Sequence, residues 1–439
     1  MPLNLNPSKG KIEPRNRLSG TVHLPGDKSI SHRCAMFAAL AQGTSVVKNF
    51  SSSKDCTSTL ECLQQLGVKI DRAGSHVTLI SPGRRNLTQP SGTLNAGNSG
   101  TAIRLLSGIL AGLPFETSIE GDSSVNQRPM RRIIVPLREM GCHIRATEDK
   151  FPPLHIRGGN LTGIKYTLPV ASAQVKSAIL LAGLAAAQET VVIEPSPCRD
   201  HTERLLPEFG IQVNVSGQTI SIAPGQEAIP SKLIVPGDFS AASFFLISAL
   251  LLPGSHLKMV DVGINPSRDA LLNLLAQSGA KIAIENRRLV SGEPVADLRI
   301  KYSQQLLEMF PSCIEGALIP QLIDEIPILA VLGTRLKSGL TIKDAEELRT
   351  KETDRIHAVV SNLGALGIET KEYQDGFTIP PGQTIQGGLV KTYGDHRIAM
   401  SFAIAGLIAL NAVHLDDPDC CAISFPDFFQ NLSAVAVTE

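Results

Sequence analysis

The sequence predicts an α/β protein of two domains, each built from a repeated unit of strands and helices. Three observations support this prediction: the length of the chain, its composition and a pattern that recurs along it. The 439 residues are too many for one ordinary hydrophobic core, so two domains are expected. Hydrophobic residues make up 43% of the chain and charged residues 19%, which predicts a globular, well buried protein and excludes a disordered one.

The recurring pattern is a helix that closes on glycine and is followed by a hairpin. Five such helices end at Gly67, Gly141, Gly210, Gly279 and Gly367, and glycine is the favoured residue just past a helix end. An alternating segment, a polar turn and a second extended segment follow, as in GVKIDRAGSHVTLIS, which is typical of a hairpin. The period is too long for the units of a solenoid.

A second, more apolar helix precedes each of these, and it occurs six times. The apolar segments are AMFAALAQG, LLSGILAG, ILLAGLAAA, FLISALLLPG, PILAVLG and FAIAGLIAL. The unit is therefore predicted to run strand, helix, strand, helix, hairpin, and the sixth copy reaches the end of the chain before its hairpin. We expect the extended segments GKIEP and GTVHL near the N-terminus to supply the missing strands. This places one domain at 22–235 and the other at 1–21 and 236–439, with a cleft that closes like a hinge.

The ten residues LPGDKSISHR lead from a short predicted strand at 21–24 into the first helix. Backbone N–H groups and the positive end of the helix dipole lie at a helix start, and Lys28 and Arg33 add full positive charge there. This arrangement predicts an anion site. The alternative is that Asp27 or Ser29 only caps the helix and that Lys28 is solvated.

Polar residues recur at the starts of the other predicted helices. Asp200, Asp238 and Asp269 are explained by helix capping alone. Capping does not explain the cations, because the helix dipole opposes a positive charge at this end. We therefore predict that several of them line a phosphate or carboxylate site, and the candidates are Lys28, Arg128, Arg199 and Arg355.

Two acids stand among the cations of the fifth unit. Asp324 lies between apolar segments and is expected to be partly buried, so it is a salt-bridge partner or a general acid or base. Glu352 lies between Lys351 and Arg355, where it forms a surface ion pair or takes part in proton transfer. His396, in YGDHR, is either a base or a structural residue.

Charge and motifs exclude several classes of function. With 41 basic and 41 acidic residues the net charge is zero, which argues against nucleic-acid binding. No apolar run approaches the ~20 residues of a membrane span, and the first residues lack the apolar core of a signal peptide. The eight cysteines have no metal-binding spacing, so no metal site is predicted and reduced thiols in a cytoplasmic protein are expected. The GDKS segment lacks a glycine that a P-loop requires.

A series of motifs resembles one family over nearly the whole chain. In order they are LPGDKSISHR, GNSGTAIRLL, QRPM, SAQVKSA, RDHTERL, LIDEIPILAV, LRTKETDRI and TYGDHRIAM. With them the chain is similar to the 5-enolpyruvylshikimate-3-phosphate synthases. The resemblance implies the enolpyruvyl transferase fold, a two-domain inside-out α/β barrel with three βαβαββ units in each domain. It also implies transfer of the enolpyruvyl group of phosphoenolpyruvate to the 5-hydroxyl of shikimate 3-phosphate, with release of phosphate, in the shikimate pathway.

The resemblance also implies the roles of individual residues. Shikimate 3-phosphate is implied to contact Lys28, Ser29, Arg33, Ser172, Ala173, Gln174, Arg199, Asp324 and Lys351. Phosphoenolpyruvate is implied to contact Lys28, Gly100, Arg128, Gln174, Arg355 and Arg397. Lys28 then touches both substrates, Asp324 takes the proton of the 5-hydroxyl, and Glu352 protonates the methylene group and later removes a proton. No cofactor is implied as a requirement, and a monomer acting on these two small molecules is expected.

Some positions distinguish this chain within the family. Many members carry a lysine that reaches phosphoenolpyruvate where this chain has Ile423, so that contact is in doubt here. Other segments resemble the second of two sequence classes, whose members respond to monovalent cations, which makes potassium or ammonium a candidate activator. Gly100 occupies a position where some members have alanine and tolerate glyphosate, and we expect the glycine to leave room for that inhibitor.

Two other functions remain as alternatives. A sister enolpyruvyl transferase acts on UDP-N-acetylglucosamine and uses a loop cysteine, but the matching stretch GDSSVNQRPM has none and Cys142 lies beyond the next helix. A noncatalytic phosphometabolite-binding protein is the second alternative. Asp324 and Glu352 argue against it, because anion binding alone does not favour acids among the cations.

Overall fold

The computed structural model describes residues 10–437, which divide into two compact units. The N-terminal unit comprises Gly26–Pro236 and Leu289–Glu293, and the C-terminal unit comprises the described parts of 1–25, 237–288 and 294–439. The sequence placed the boundaries at 21/22 and 235/236. Three parts of the chain therefore differ from that prediction. Residues 22–25 belong to the C-terminal unit, whereas Pro236 and Leu289–Glu293, at the turn of a long hairpin, belong to the N-terminal unit.

The elements alternate along the chain as the repeat predicts. The strands are β1 (Lys11–Ile12), β2 (Arg17–Val22), β3 (Gly43–Lys48), β4 (Lys69–Ala73), β5 (His76–Ser81), β6 (Leu94–Asn95), β7 (Glu116–Glu120), β8 (His143–Thr147), β9 (Phe151–Arg157), β10 (Lys165–Thr167), β11 (Thr190–Ile193), β12 (Val213–Ser216), β13 (Thr219–Ile222), β14 (Lys232–Ile234), β15 (His256–Gly263), β16 (Lys281–Val290), β17 (Glu293–Lys301), β18 (Cys313–Ile314), β19 (Leu340–Ile342), β20 (Lys371–Tyr373), β21 (Gly376–Ile379), β22 (Gly388–Val390), β23 (Val413–Leu415) and β24 (Ala436–Val437). The α-helices are α1 (Lys28–Leu40), α2 (Lys54–Gln65), α3 (Gly100–Ala111), α4 (Arg131–Glu139), α5 (Ala173–Gly183), α6 (His201–Leu205), α7 (Phe239–Leu251), α8 (Ala270–Gln277), α9 (Gln304–Met309), α10 (Ile319–Leu322), α11 (Ile326–Gly333), α12 (Arg355–Ala365), α13 (His396–Leu407) and α14 (Phe428–Val435).

The strands of the described residues form six sheets, and four of these have the same order. The order β6-β7-β9-β8 recurs in β10-β11-β13-β12, β14-β3-β5-β4 and β18-β19-β21-β20. In each, the first two strands are parallel and the last two form an antiparallel hairpin. A parallel pair needs a crossover connection, and the buried first helix of the unit supplies it in three of the four sheets. The predicted unit of strand, helix, strand, helix and hairpin is confirmed.

The strands at the two chain crossings pair differently from the prediction. The segment GTVHL, at 20–24, was expected to supply a strand that completes the sixth unit of the C-terminal domain. It does belong to the C-terminal unit, but β2 pairs in parallel with β15 of the fourth unit, and β14 takes the first position beside β3 in the N-terminal unit. Each of these strands therefore lies in the unit opposite to the helix that follows it. Strand β1 pairs with β23 and completes the sixth sheet, as expected for the N-terminal segment.

Each unit has its own hydrophobic core, built around the first helices of its repeats. All residues of α7 and α11 are buried, which explains why these helices are apolar on every side rather than amphipathic. In the N-terminal unit, a methyl group on Gly108 of α3 would lie 2.2 Å from the carbonyl oxygen of Ala178 in α5. Only glycine allows this close packing of α3 against α5.

No single helix within residues 10–437 is long and apolar enough to span a membrane. The segments Gly316–Leu322 and Ile326–Gly333 meet the criterion of length and composition only as a pair, and the chain bends by 111° between them. All eight cysteines are free thiols, in agreement with the sequence analysis.

Candidate active site

The first helix of the N-terminal unit begins at the predicted anion site. Asp27 caps α1, since its carboxylate accepts a hydrogen bond from the Ile30 amide at 2.9 Å. The alternative prediction that Lys28 is solvated is wrong. The Nζ atom of Lys28 lies 2.7 Å from Oδ2 of Asp55, a buried acid in the first turn of α2. That carboxylate offsets the unfavourable position of a cation at the start of α1.

Arg33 is buried in the same helix, with 2% of its surface exposed, and is held by neutral groups. Its guanidinium donates to Oγ1 of Thr202 at 2.7 Å, to Oγ of Ser177 at 2.9 Å and to the carbonyl of Ser29 at 3.0 Å. Burial lowers the pKa of Arg33 and outweighs the opposing charges of Glu203 and Asp27, and the charge of Arg199 acts in the same direction as burial. Arginine nevertheless stays charged in proteins, so this is a buried cation that favours an anionic ligand.

A neutral histidine connects the helices around this cation. His32 is fully buried, with Nδ1 at 2.7 Å from Oγ1 of Thr59 and Nε2 at 3.4 Å from Oγ of Ser99. Burial and the charges of Lys28 and Arg33 hold the pKa of His32 well below its usual value. The ring therefore adds no charge to the site, but fixes α1 against α2 and against the residue that caps α3.

Two arginines, Arg104 of α3 and Arg128 of the segment before α4, lie around a glycine at the start of α3. A methyl group on Gly100 would lie 3.1 Å from Nη1 of Arg104 and 3.3 Å from Nη1 of Arg128. Arg104 donates to Oε1 of Gln174 at 2.6 Å, and Nε2 of Gln174 donates to Oγ1 of Thr101 at 2.9 Å. The structure thus brings together the predicted residues Gly100, Arg128 and Gln174. Arg104 is an additional cation that the sequence analysis missed.

The starts of α5 and α6 contain the remaining predicted residues of the N-terminal unit. Ser172 caps α5 by accepting from the Val175 amide at 3.4 Å, and Ala173 is the first residue of that helix. Arg199 lies two residues before α6, close enough to influence Arg33 electrostatically. The N-terminal unit therefore gathers its candidate residues at the starts of α1, α3, α5 and α6.

The capping predictions are only partly correct. Asp238 caps α7 by accepting from the two following amides of the helix, as expected. Asp200 and Asp269 stand at the cap positions of α6 and α8, but neither side chain caps its helix. Asp200 instead accepts from Arg204 at 2.8 Å, and Asp269 accepts from Asn273 at 2.9 Å. In both cases a donor one turn along the helix competes successfully with the backbone amide.

Arg355 is the centre of the candidate site in the C-terminal unit. Its side chain is 1% exposed, and Nε lies 2.8 Å from Oδ2 of Asp395 while Nη2 lies 2.6 Å from Oε2 of Glu352. Burial opposes the charge of this arginine, but Asp395 and Glu352 outweigh burial and raise the pKa of the guanidinium. Glu352 is therefore the partner of a buried arginine and not of a surface cation.

Asp324 is faced by three guanidinium groups. Its carboxylate lies 3.5 Å from Arg268, 3.7 Å from Arg355 and 3.7 Å from Arg397, and its side chain is 15% exposed. Arg397 also donates to the main-chain oxygen of Asp324 at 2.9 Å. The predicted partial burial is confirmed. A carboxylate among so many cations is strongly favoured in its ionised form, which suits a base.

The loop before α12 is held in place by an arginine that is not a candidate ligand. Arg349 donates to Asp354 at 2.7 Å, to Glu372 at 3.1 Å and to two carbonyls of the hairpin β20–β21. Lys351 forms an ion pair with the exposed Glu347 at 2.6 Å. Lys351 thus pairs with a surface acid, whereas the other predicted residues of this unit belong to the cluster of Arg355 and Asp324.

Two further positions complete the comparison with the sequence analysis. Ile423 packs against the core of the C-terminal unit, which is consistent with an apolar residue in place of a lysine. Arg268 was not among the predicted site residues, yet it lies in the Asp324 cluster. Its signal in the sequence was a cation just before an apolar helix, as for the cations that were selected.

Comparison with known proteins identifies the family. The model of the EPSP synthase family, 3-phosphoshikimate 1-carboxyvinyltransferase, matches residues 12–432. The chain belongs to the EPSP synthase family. Proteins named 3-phosphoshikimate 1-carboxyvinyltransferase include one from Shouchella clausii, 48% identical over 95% of this chain and 96% of its own length. Another, from Solibacter usitatus, is 47% identical over 97% of this chain and 99% of its own length.

A solved EPSP synthase from Acinetobacter baumannii has the same fold. It superposes with a TM-score of 0.86 at 40% identity and covers 98% of both chains. The predicted enolpyruvyl transferase fold is therefore confirmed. The structure contains two groups of cations, one around Arg33 in the N-terminal unit and one around Arg355 in the C-terminal unit.

Proposed function

We propose that this chain transfers the enolpyruvyl group of phosphoenolpyruvate to the 5-hydroxyl of shikimate 3-phosphate and releases phosphate. Family membership supports this activity. The structural observation that carries the proposal is the pair of acids, Asp324 and Glu352, on either side of the buried Arg355. The buried Arg355 already has Asp395 as a partner at 2.8 Å, so two further carboxylates are not needed to pair its charge, whereas the transfer needs both an acid and a base.

Shikimate 3-phosphate is assigned mainly to the N-terminal unit. Arg33 suits a substrate anion because its present partners are neutral hydroxyls and a carbonyl. The other proposed contacts are Lys28, Ser29, Ser172, Ala173, Gln174 and Arg199, with Asp324 and Lys351 from the C-terminal unit. For Lys351 the contact requires exchange of its ion pair with Glu347, which is exposed and therefore weak.

Phosphoenolpyruvate is assigned to the cations at the start of α3 and around Arg355. The proposed contacts are Lys28, Gly100, Arg128, Gln174, Arg355 and Arg397. We add Arg104 to the residues that shape this site, since it borders Gly100 together with Arg128. Cations in a water-poor site offset the repulsion between the phosphate and carboxylate groups of the two substrates.

The two acids divide the proton transfers. Glu352 donates a proton to the methylene carbon of phosphoenolpyruvate, which makes the neighbouring carbon electrophilic. The 5-hydroxyl attacks this carbon and gives its proton to Asp324, and Glu352 then removes a methyl proton as phosphate leaves. An anion bound to Arg355 neutralises part of the positive charge that stabilises the Glu352 carboxylate. This favours protonated Glu352, the form that donates the proton in the first step.

Phosphate release is the direct test of this assignment. We expect release when phosphoenolpyruvate is mixed with shikimate 3-phosphate and none when UDP-N-acetylglucosamine replaces it. Release with only the nucleotide sugar would contradict the proposal, and release with neither would favour a binding protein. Cys142 does not support the sister activity, because it is buried and burial raises the pKa of its thiol to about 12.

Gly100→Ala should retain the fold but reduce binding at the start of α3. Gly100 lies in the first turn of α3, where alanine costs no backbone strain, so the melting temperature should not fall. The new methyl group would crowd Arg104 and Arg128 at 3.1 and 3.3 Å. We therefore expect a higher KM for phosphoenolpyruvate and weaker inhibition by glyphosate, measured by phosphate release.

A control for this change is Gly364→Ala, which also adds a methyl group within a helix but meets no atom within 4 Å. It should leave KM and inhibition unchanged. A Gly100→Ala enzyme as sensitive to glyphosate as the parent would show that Gly100 does not provide the room for the inhibitor.

The oligomeric state and location stay predictions. A monomer is expected, which light scattering would check, and a cytoplasmic location is expected, which cell fractionation would check.

A further inference from the structure

Arg268 is a buried arginine, 6% exposed, that has no role in the reaction described above. Its Nη1 lies 3.5 Å from Oδ2 of Asp324. Its Nη2 donates to Oγ of Ser240 and lies 3.5 Å from Oε1 of Glu325. One guanidinium thus connects the start of α7, the residues just before α8 and the residues just before α11.

The three guanidinium groups around Asp324 differ in how their charge is shared. Arg355 lies 3.7 Å from Oδ1 of Asp324 but is closer to two other acids, at 2.8 Å from Asp395 and 2.6 Å from Glu352. Arg397 lies 3.7 Å from Oδ2 and also donates to the main-chain oxygen of Asp324. Of the three guanidinium groups, that of Arg355 therefore shares its charge with the largest number of acids and stabilises Asp324 least.

Substrate binding would change this balance further. In the proposed reaction Arg355 and Arg397 hold the anionic groups of phosphoenolpyruvate, so their charge is directed to the substrate. Arg268 then remains as the guanidinium that faces Asp324. Glu325 lies at the same distance of 3.5 Å from this guanidinium. Arg268 faces Asp324 through Nη1 and Glu325 through Nη2, so it can interact with both acids at once.

We infer that Arg268 is a positioning residue of the transfer reaction: it keeps Asp324 ionised and oriented as the base while the substrate occupies the other two arginines. The inference rests on the proposed function. Arg268 acts through Asp324 and not by contact with the substrate, so its loss should change the proton acceptor more than substrate binding.

The test is the pH dependence of kcat/KM for Arg268→Gln, expressed as a ratio to the wild-type enzyme so that titration of the substrates cancels. Loss of the cation should raise the pKa of Asp324, so the acidic limb of the pH profile should move to higher pH by about one unit. On that limb kcat/KM should be about tenfold below the wild-type value, and the difference should disappear as the pH increases. The KM for shikimate 3-phosphate should change little. A ratio that is the same at every pH would overturn the inference, since a general structural defect has that effect.

Companion variants separate charge from packing. Arg268→Gln leaves the buried Glu325 without its cation, so Arg268→Gln/Glu325→Gln, which removes both charges, should fold better. Its acidic limb should still lie at higher pH than that of Glu325→Gln, the variant from which it differs only in the charge of Arg268. Arg268→Lys keeps the charge and should keep the limb near its wild-type position. Glu325→Gln alone keeps the cation beside Asp324 and should not raise the limb. A limb displaced as far with lysine as with glutamine would contradict the inference.

A second readout does not depend on turnover. In a double-mutant cycle, Arg268→Gln should lower the melting temperature less in the Asp324→Asn background than in the wild-type background. Equal decreases would mean that the two residues are not coupled. A wild-type chain without phosphate release would reject the proposed function, whereas this cycle would still measure whether Arg268 supports Asp324.

Discussion

Glu352→Gln is expected to lower kcat by about 10²- to 10⁴-fold, the usual contribution of general acid–base catalysis. Glutamine fills the same space and its side-chain oxygen can still accept the hydrogen bond that Arg355 donates at 2.6 Å. Arg355 also keeps Asp395 as a partner at 2.8 Å, so its buried charge remains paired. Binding of both substrates should therefore be largely retained, as measured by titration calorimetry, while phosphate release is lost.

A matched control for this change is Glu308→Gln. Glu308 pairs with Lys337 at 2.7 Å on an exposed surface, so the same substitution removes one charge of an ion pair outside the candidate site. Its kcat should stay at the wild-type value. Unchanged turnover in Glu352→Gln would remove Glu352 from the mechanism and would leave the buried ion pair with Arg355 as its only role.

The repeated unit was predictable because its signals are local. Apolar helices, closing glycines and alternating hairpins each depend on a short stretch of sequence, and all of them recur in the structure. The pairing of β2 with β15, and of β14 with β3, was not predictable in this way. A strand has the same alternating pattern of side chains in any sheet that it joins. The periodicity of the sequence therefore does not indicate which sheet contains β2 or β14.

The candidate site shows the same division between local and distant information. Lys28 and Arg355 stood out because a cation at a helix start opposes the helix dipole. Their partners Asp55 and Asp395 did not stand out, because an acid at a helix start is the ordinary case. The sequence analysis expected a bound anion to resolve the conflict, whereas buried carboxylates already do so. The pairing depends on tertiary contacts between different helices, which spacing along the chain does not encode.

Lys28→Met tests whether the first motif acts in catalysis or only in folding. The structure predicts a large effect on both, because Asp55 is 5% exposed and its Oδ1 accepts no hydrogen bond. Removing Lys28 takes away the cation at 2.7 Å from the other oxygen. Loss of one partner of a buried ion pair costs about 3–5 kcal/mol, so the melting temperature should fall clearly. Loss of turnover in this variant alone therefore does not identify a catalytic role.

The double variant Lys28→Met/Asp55→Asn separates the two effects. It removes the charge of Asp55 together with that of Lys28, so most of the lost stability should return. Turnover should stay about 10²- to 10³-fold below wild type, since a cation that stabilises charge in the transition state is still missing. Asp55→Asn alone keeps Lys28 and should be far more active than the double variant. Recovery of turnover together with stability in the double variant would instead make Lys28 a structural partner of Asp55, and the anion site at the start of α1 would then depend on Arg33.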